Sequence, residues 1–406
     1  MIDRRKNLKI GCYRLVSNIH DRDHINHSLQ TLLESIEKYL GESLIPINLG
    51  DAKKEPIFPV IIIESGGVEE KFKRIYQQFP SPYLLLAGCL HNALPAALEI
   101  KEYLHKRGEK VEILHGNAEW IANRLKLLRK VMEVKKDCHK YRVGVLGKPS
   151  DWLIASGADY NVIRKKLGIK IYDIPVEEMI RHIDQVKIDE LFSNVGIIPT
   201  GFDHLVIQQS LQIYQGIKNL VHEYHLNAFT VRCFDLLDFY KNTGCLALSL
   251  LNREGIIAGC EGDVPALISM IIAHLLTDQP VFMGNPACID QVKNEIIIAH
   301  CTIPVNMCES YDWTSHFESG MGIAIRGKVK EGPVTLFKLD GNVERYYLSE
   351  GELTKNLELP NLCRSQFQIS LKEPVNDFLN KSIANHHILF KGWYREKIEA
   401  FLSLVL

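Results

Sequence analysis

Gly255-Ile256-Ile257-Ala258-Gly259-Cys260-Glu261 reads as a short apolar strand ending on a carboxylate. Val264-Pro265-Ala266-Leu267-Ile268-Ser269-Met270-Ile271-Ile272-Ala273-His274-Leu275-Leu276 follows as a buried helix. Asp263 stands at its N-cap, and Pro265 lies in the first turn, where a missing N–H costs nothing. A second apolar run, Pro280 to Gly284, ends on Asn285, and a third, Glu295 to Ala299, ends on His300. Strand, helix, strand is the crossover unit, which returns the chain to a neighbouring parallel strand. Glu261 and Asn285 are therefore expected side by side at the C-terminal ends of neighbouring parallel strands. Open α/β sheets bind their ligands there. His300 is expected to join them through its short connection.

Upstream of this stretch, strands and helices alternate. Leu8–Val16, Ser43–Leu49, Pro59–Glu64, Tyr83–Gly88 and Val111–His115 read as strands, with helices over Asn26–Tyr39, Val68–Phe79, Leu94–Lys106 and Ala118–Lys136. A second alternating series begins at Tyr141. After about Cys308, short alternating strands are separated by Gly, Pro and Asp-Gly turns. Asn385–Phe390 reads as the last strand and Tyr394–Val405 as a closing helix. The fold expected is α/β: two doubly wound parallel-sheet (Rossmann-like) domains, 1–138 and 139–310, then a β-rich barrel or sandwich, 311–406.

Several function classes are excluded by composition. Of 406 residues, 48 are Lys or Arg and 49 Asp or Glu, so the net charge of −1 offers no general attraction to nucleic acid or anionic membrane. The longest apolar run, Val264–Leu276, is too short to span a bilayer. The start Met1–Lys6 is charged, but Leu8–Val16 is broken by Lys9, Tyr13 and Arg14, which argues against a secretory leader. Ten cysteines lie scattered without a Cys-x-x-Cys pair. Cys233, Cys245, Cys260 and Cys301 fall in apolar settings and read as reduced and buried, which points to the cytoplasm. Neither Gly-x-Gly-x-x-Gly nor Gly-x-x-x-x-Gly-Lys-Ser/Thr is present, so no nucleotide cofactor is expected.

Cys260–Met270, Asn285, Ala299-His300-Cys301, Ser315–Gly322 and Ala384-Asn385-His386 together resemble the L-fucose isomerase / L-arabinose isomerase superfamily, most closely its shorter fucose-isomerase-like branch. The resemblance covers most of the chain. It is strongest from about Tyr141 onward, and in the first domain it is one of architecture. It implies an aldose–ketose isomerase of sugars that uses Mn2+ or another divalent cation, assembled as a homo-oligomer (trimer or hexamer). Glu261 matches the family's metal-binding glutamate, position 285 its aspartate and His386 its C-terminal histidine. His300 stands near a further histidine ligand of arabinose isomerases. The departure is Asn285, an amide in place of a carboxylate: it can offer an oxygen to a hard cation but cannot take a proton. Two readings follow, a sugar isomerase working through an enediol and a non-catalytic carbohydrate-binding or regulatory homologue.

Glu261 and Asn285 are the candidate catalytic positions, with Glu261 as base. Asp263, Glu309, Asp312, Glu318 or a water would serve as the second proton carrier. Glu261, Asn285, His300 and His386 are the candidate metal ligands. Glu261 alone would read as an exposed strand-end carboxylate, His300 as a core histidine and Asp263 as an N-cap. His386 and His387 point to opposite faces of a strand, so only one can face a metal, and the motif selects His386. Trp152, Arg232, Asp263 and Asn385 are substrate-binding candidates. Trp152 would stack on a sugar face or simply pack. Arg232 would bind an anionic group or pair with Asp235 or Asp238. His316 and Glu318 share a face if Ser315–Gly320 is extended. In the first domain, Arg14, His91 and Asn92 lie at or after strand ends, and the resemblance makes them candidates to complete a neighbouring subunit's site.

Overall fold

A computed structural model of the chain describes residues 8–17, 22–187, 191 and 197–406. The charged start Met1–Lys6 lies outside the described residues. Two compact units are formed, Met1–Asp137 with Glu399–Leu406, and Cys138–Ile398.

The first unit holds β1 (Lys9–Leu15), β2 (Ile45–Pro46), β3 (Ile57–Ile63), β4 (Tyr83–Ala87) and β5 (Val111–Leu114). All pairings are parallel, in the order β2-β1-β3-β4-β5. This is a doubly wound sheet with its switch point between β1 and β3. β4 and nearly all of β3 are buried, which is why they read as continuous apolar runs rather than alternating ones. The run Ser43–Leu49 yields only the two-residue β2.

The second unit opens with β6 (Arg142–Leu146), β7 (Lys170–Ile174), β8 (Ala228–Val231) and β9 (Ile257–Cys260), parallel in the order β7-β6-β8-β9. Its switch point lies between β6 and β8. The segments leaving β6, β8 and β9 carry Trp152, Arg232 and Glu261 respectively. The chain continues through β10 (Phe282–Asp290), β11 (Glu295–His300), the hairpin β12 (Ser310–Thr314) and β13 (Ala324–Lys328), then β14 (Gly332–Leu339), β15 (Tyr346–Asn356), β16 (Ser365–Leu371) and β17 (His387–Lys391). Six of these close into an antiparallel barrel, β10-β11-β16-β15-β14-β17. Closure removes unpaired edges.

One expectation is corrected here. The strand after the buried helix Val264–Thr277 does not return to the parallel sheet. β10 pairs antiparallel with β11 and β17 in the barrel and runs straight through Asn285. Only Gln291–Asn294 separate β10 from β11, far too few for a parallel crossover. An apolar run of five residues fits a parallel strand and a barrel strand equally well, so periodicity could not separate them. Glu261 and Asn285 therefore do not lie on neighbouring strands of one sheet. They still meet, for a different reason. Asn285 is in register with Ala299 and Gly284 with His387, so the start of β10, the end of β11 and the start of β17 share one end of the barrel. That end faces β9, where Cys260 N lies 3.5 Å from the Met283 sulfur.

Candidate active site

β9 ends in a tight turn. Glu261 (φ 62°) and Gly262 (φ 72°) are both left-handed. The turn is clamped by Ser150 N–H donating to Glu261 O at 2.8 Å and by Gly262 N–H donating to Val231 O at 3.2 Å. A Cβ at position 262 would come within 2.6 Å of the Pro149 Cα, so glycine is required there. A non-glycine residue at positive φ is strained, and such strain concentrates at functional sites.

The turn aims the Glu261 carboxylate at two histidines. Its Oε1 lies 3.4 Å from His386 Nε2 and 3.7 Å from His300 Nε2. Its Oε2 accepts the indole N–H of Trp152 at 2.6 Å. The ligand atoms of Glu261, His300 and His386 all lie within 4.8 Å of one another, and all three residues are buried. Burial by itself would raise the Glu261 carboxyl, but His300 and His386 hold it far below the usual carboxylate range. The opposing effect acts on His386: burial pushes its imidazole down, and the neighbouring carboxylates of Asp263 and Glu261 raise it overall.

Behind the histidines lies Asp263. It caps the buried helix by accepting Ala266 N–H at 2.8 Å, as its position predicted. It also accepts His386 Nδ1–H at 2.9 Å, which leaves Nε2 to face Glu261. His300 is turned by a hydroxyl instead, with Nδ1 3.0 Å from Thr302 Oγ1.

Among the described residues, His386 Nε2 and Asn285 Oδ1 are buried at this centre without a hydrogen-bond partner. Orphaned buried polar atoms are uncommon and call for an occupant. Two imidazoles, a carboxylate and an amide oxygen form a nitrogen–oxygen donor set that suits a divalent transition-metal ion such as Mn2+. The residues present therefore fit the cation the resemblance implies. A second group, Glu178, His182 and Glu223, differs: Arg181 already pairs with both glutamates.

Beside the centre is a cavity lined by Glu261, Asn285, His300, Phe234, His316 and Glu318, with the thiols of Cys233, Cys245, Cys260, Cys301 and Cys363 in its wall. The four cysteines read as buried, Cys233, Cys245, Cys260 and Cys301, are buried. His316 and Glu318 reach the cavity, but not along an extended face. They sit in and beside the turn between β12 and β13, where His316 Nδ1 lies 3.0 Å from Ser319 Oγ. Trp152 is 52% exposed and packs edge-on against Phe234, ring centroids 4.8 Å apart.

The other candidates of the second unit are not among the residues lining the cavity. Arg232 is held by Asp235, Asp151 and the Pro149 carbonyl. Asn385 accepts the backbone N–H of His386 at 2.9 Å, fixing the turn that delivers the histidine. His387 packs on Phe378 and Tyr347, and burial pushes its imidazole down to about 3. Lys338 and Thr302 were missed by sequence reasoning, because neither stands in a motif or at a parallel-strand end. In the first unit, Arg14 pairs with Glu64, while Glu64 and His91 line a crevice beyond β3 and β4. His91 and Asn92 (φ 56° each) form the left-handed turn into helix Ala93–His105.

No family model matches the chain. It is 23% identical over 308 residues to the sulfoquinovose isomerase of Alkalicoccus urumqiensis, covering 71% of this chain and 68% of that protein. It is 24% identical over 272 residues to the sulfoquinovose isomerase of Priestia aryabhattai, covering 63% of this chain and 60% of that protein. The sulfoquinovose isomerase of Clostridium sp. (strain MSTE9) is 33% identical over 92 residues, 22% of this chain. The relatives are isomerases by name.

Proposed function

We propose that the chain is a metal-dependent aldose–ketose isomerase that converts a sugar through an enediol. The observation that carries this reading is the convergence of Glu261, His300 and His386, whose Nε2 has no hydrogen-bond partner, near the unpartnered Asn285 Oδ1 and beside a cavity. The names of its relatives supply the reaction class and make a sugar sulfonate the first substrate to try.

The cation would be held by Glu261, His300, His386 and Asn285, and when bound it would acidify the C–H next to a sugar carbonyl. Glu261 then acts as the base between C1 and C2. Its carboxyl is held well below the usual range by His300 and His386, which makes it a weak base suited to a C–H acidified in this way. Trp152 holds Oε2 in place. The amide at 285 cannot carry a proton, and Asp263 is committed to its cap and to His386. Of the remaining carboxylates considered, Glu318 lines the cavity, and it is the proposed second proton carrier. Phe234 and the exposed face of Trp152 offer apolar surface to a sugar ring.

A second reading, a carbohydrate-binding or regulatory homologue without turnover, is favoured by Asn285. The test is exchange of the substrate C2 proton in deuterated water, across aldoses, sugar acids and the sulfonated sugar of the relatives, with Mn2+ and with chelator. Mn2+-dependent exchange with one sugar is the expected result. Sugar binding without exchange across the panel supports the second reading.

A further inference from the structure

A lysine with no exposed surface is rare, because a charge removed from water must be paired to be tolerated. Lys338 on β14 is such a residue: its side chain and that of Asp263 are both 0% exposed. Its Nζ lies 3.2 Å from each oxygen of Asp263. The carboxylate is thereby fully engaged. Oδ1 accepts from Ala266 N and Lys338, and Oδ2 from Lys338 and His386 Nδ1.

An N-cap by itself needs no lysine, since serine or threonine would serve the same backbone N–H. What the carboxylate serves is the histidine. An acceptor-only group fixes Nδ1 as the donor and directs the other ring nitrogen outward, and a charged one also raises the ring's basicity as a ligand. Glu261 already places one buried negative charge on the far side of that imidazole. A second, from Asp263, requires a counter-charge that leaves Nε2 clear. Lys338 supplies it from the barrel, on the Nδ1 side of the ring.

We propose that Lys338 and Asp263 are a positioning pair: the ammonium holds the carboxylate, the carboxylate takes the Nδ1–H of His386, and Nε2 is thereby fixed on the centre shared with Glu261 and His300. This rests on the divalent-cation reading of that centre. It also explains why the metal-site end of the barrel and the cap of the buried helix are joined by an ion pair rather than by apolar packing.

The experiment strips the full chain, reloads it with Co2+, and measures affinity by calorimetry and ligand geometry by the visible absorption of the ion. Lys338→Met keeps the stem and most of the volume. It is expected to keep a cooperative melt, weaken Co2+ by about tenfold or more and alter the absorption. Ser269→Ala, which breaks a nearby contact between the same helix and β14, controls for general destabilisation and is expected to keep both. Wild-type affinity and absorption in Lys338→Met, or equal losses in Ser269→Ala, overturns the positioning role. If Lys338→Met does not fold, the double variant Asp263→Asn/Lys338→Met, which removes both charges, carries the test with the same expected loss, and wild-type binding there overturns the proposal. Wild-type chain that takes up no Co2+ overturns the cation reading and this inference with it. Uptake by wild type with Lys338→Met unchanged overturns the pair alone.

Discussion

Glu261 adopts a left-handed backbone that costs a non-glycine residue about 1–3 kcal/mol, and two backbone hydrogen bonds hold it there. That strain is rational if the carboxylate must face both histidines. Glu261→Gln is similar in size and keeps an oxygen but loses the charge. It is expected to lower C2-proton exchange by about 100- to 10,000-fold, measured as kcat on the identified sugar. Full turnover in this variant would remove Glu261 from the chemistry. Asn285 is the opposite case, a position where charge can be added. Asn285→Asp places a carboxylate where Oδ1 now has no partner, and Mn2+ affinity by calorimetry is expected to rise about tenfold or more. Unchanged affinity would mean that position 285 does not touch the ion.

At the scale of elements, the site exists because the end of a parallel sheet meets the end of a closed barrel. The buried helix Val264–Thr277 joins them. Its Asp263 meets Lys338 of β14 and His386, just before β17, and its Ser269 hydroxyl accepts Leu339 N–H of β14 at 2.8 Å while donating to Pro265 O. Ser269→Ala strands a buried β14 amide. The expected loss is about 1–3 kcal/mol in urea unfolding, with kcat falling less than for any change at Glu261. A loss below about 0.5 kcal/mol would show that β14 does not depend on this contact.

For the whole molecule, the ionisable groups at the site set a pH dependence. The carboxyls of Asp263 and Glu261 are lowered on folding, so their contribution to stability is complete above the ordinary carboxylate value and is lost progressively as pH falls from there through the lowered one. His386 is raised, so in the metal-free protein its contribution is complete below the ordinary imidazole value and is lost as pH rises through the elevated one. A cation on Nε2 must displace that proton, so metal binding strengthens as pH rises. The increase in Tm on adding Mn2+ is therefore expected to be larger at about pH 8 than at about pH 5.5. An equal increase at both would place the ion away from His386.

Much of this was legible from sequence, and the boundary is physical. Local chemistry is encoded locally: the cap at Asp263, the carboxylate that follows β9 and the buried cysteines all follow from neighbouring residues. The two alternating αβ series and the later β-rich texture were readable because helical and strand periods differ. Which sheet β10 joins was not readable, because a short apolar run has no partner written into it. The ion pair of Lys338 with Asp263 was hidden for the same reason, since it joins a barrel strand to the cap of a helix far from it along the chain. Which groups can do chemistry is set residue by residue along the chain. Which of them meet is set by the fold, because strand pairing and barrel closure depend on contacts between residues distant along the chain.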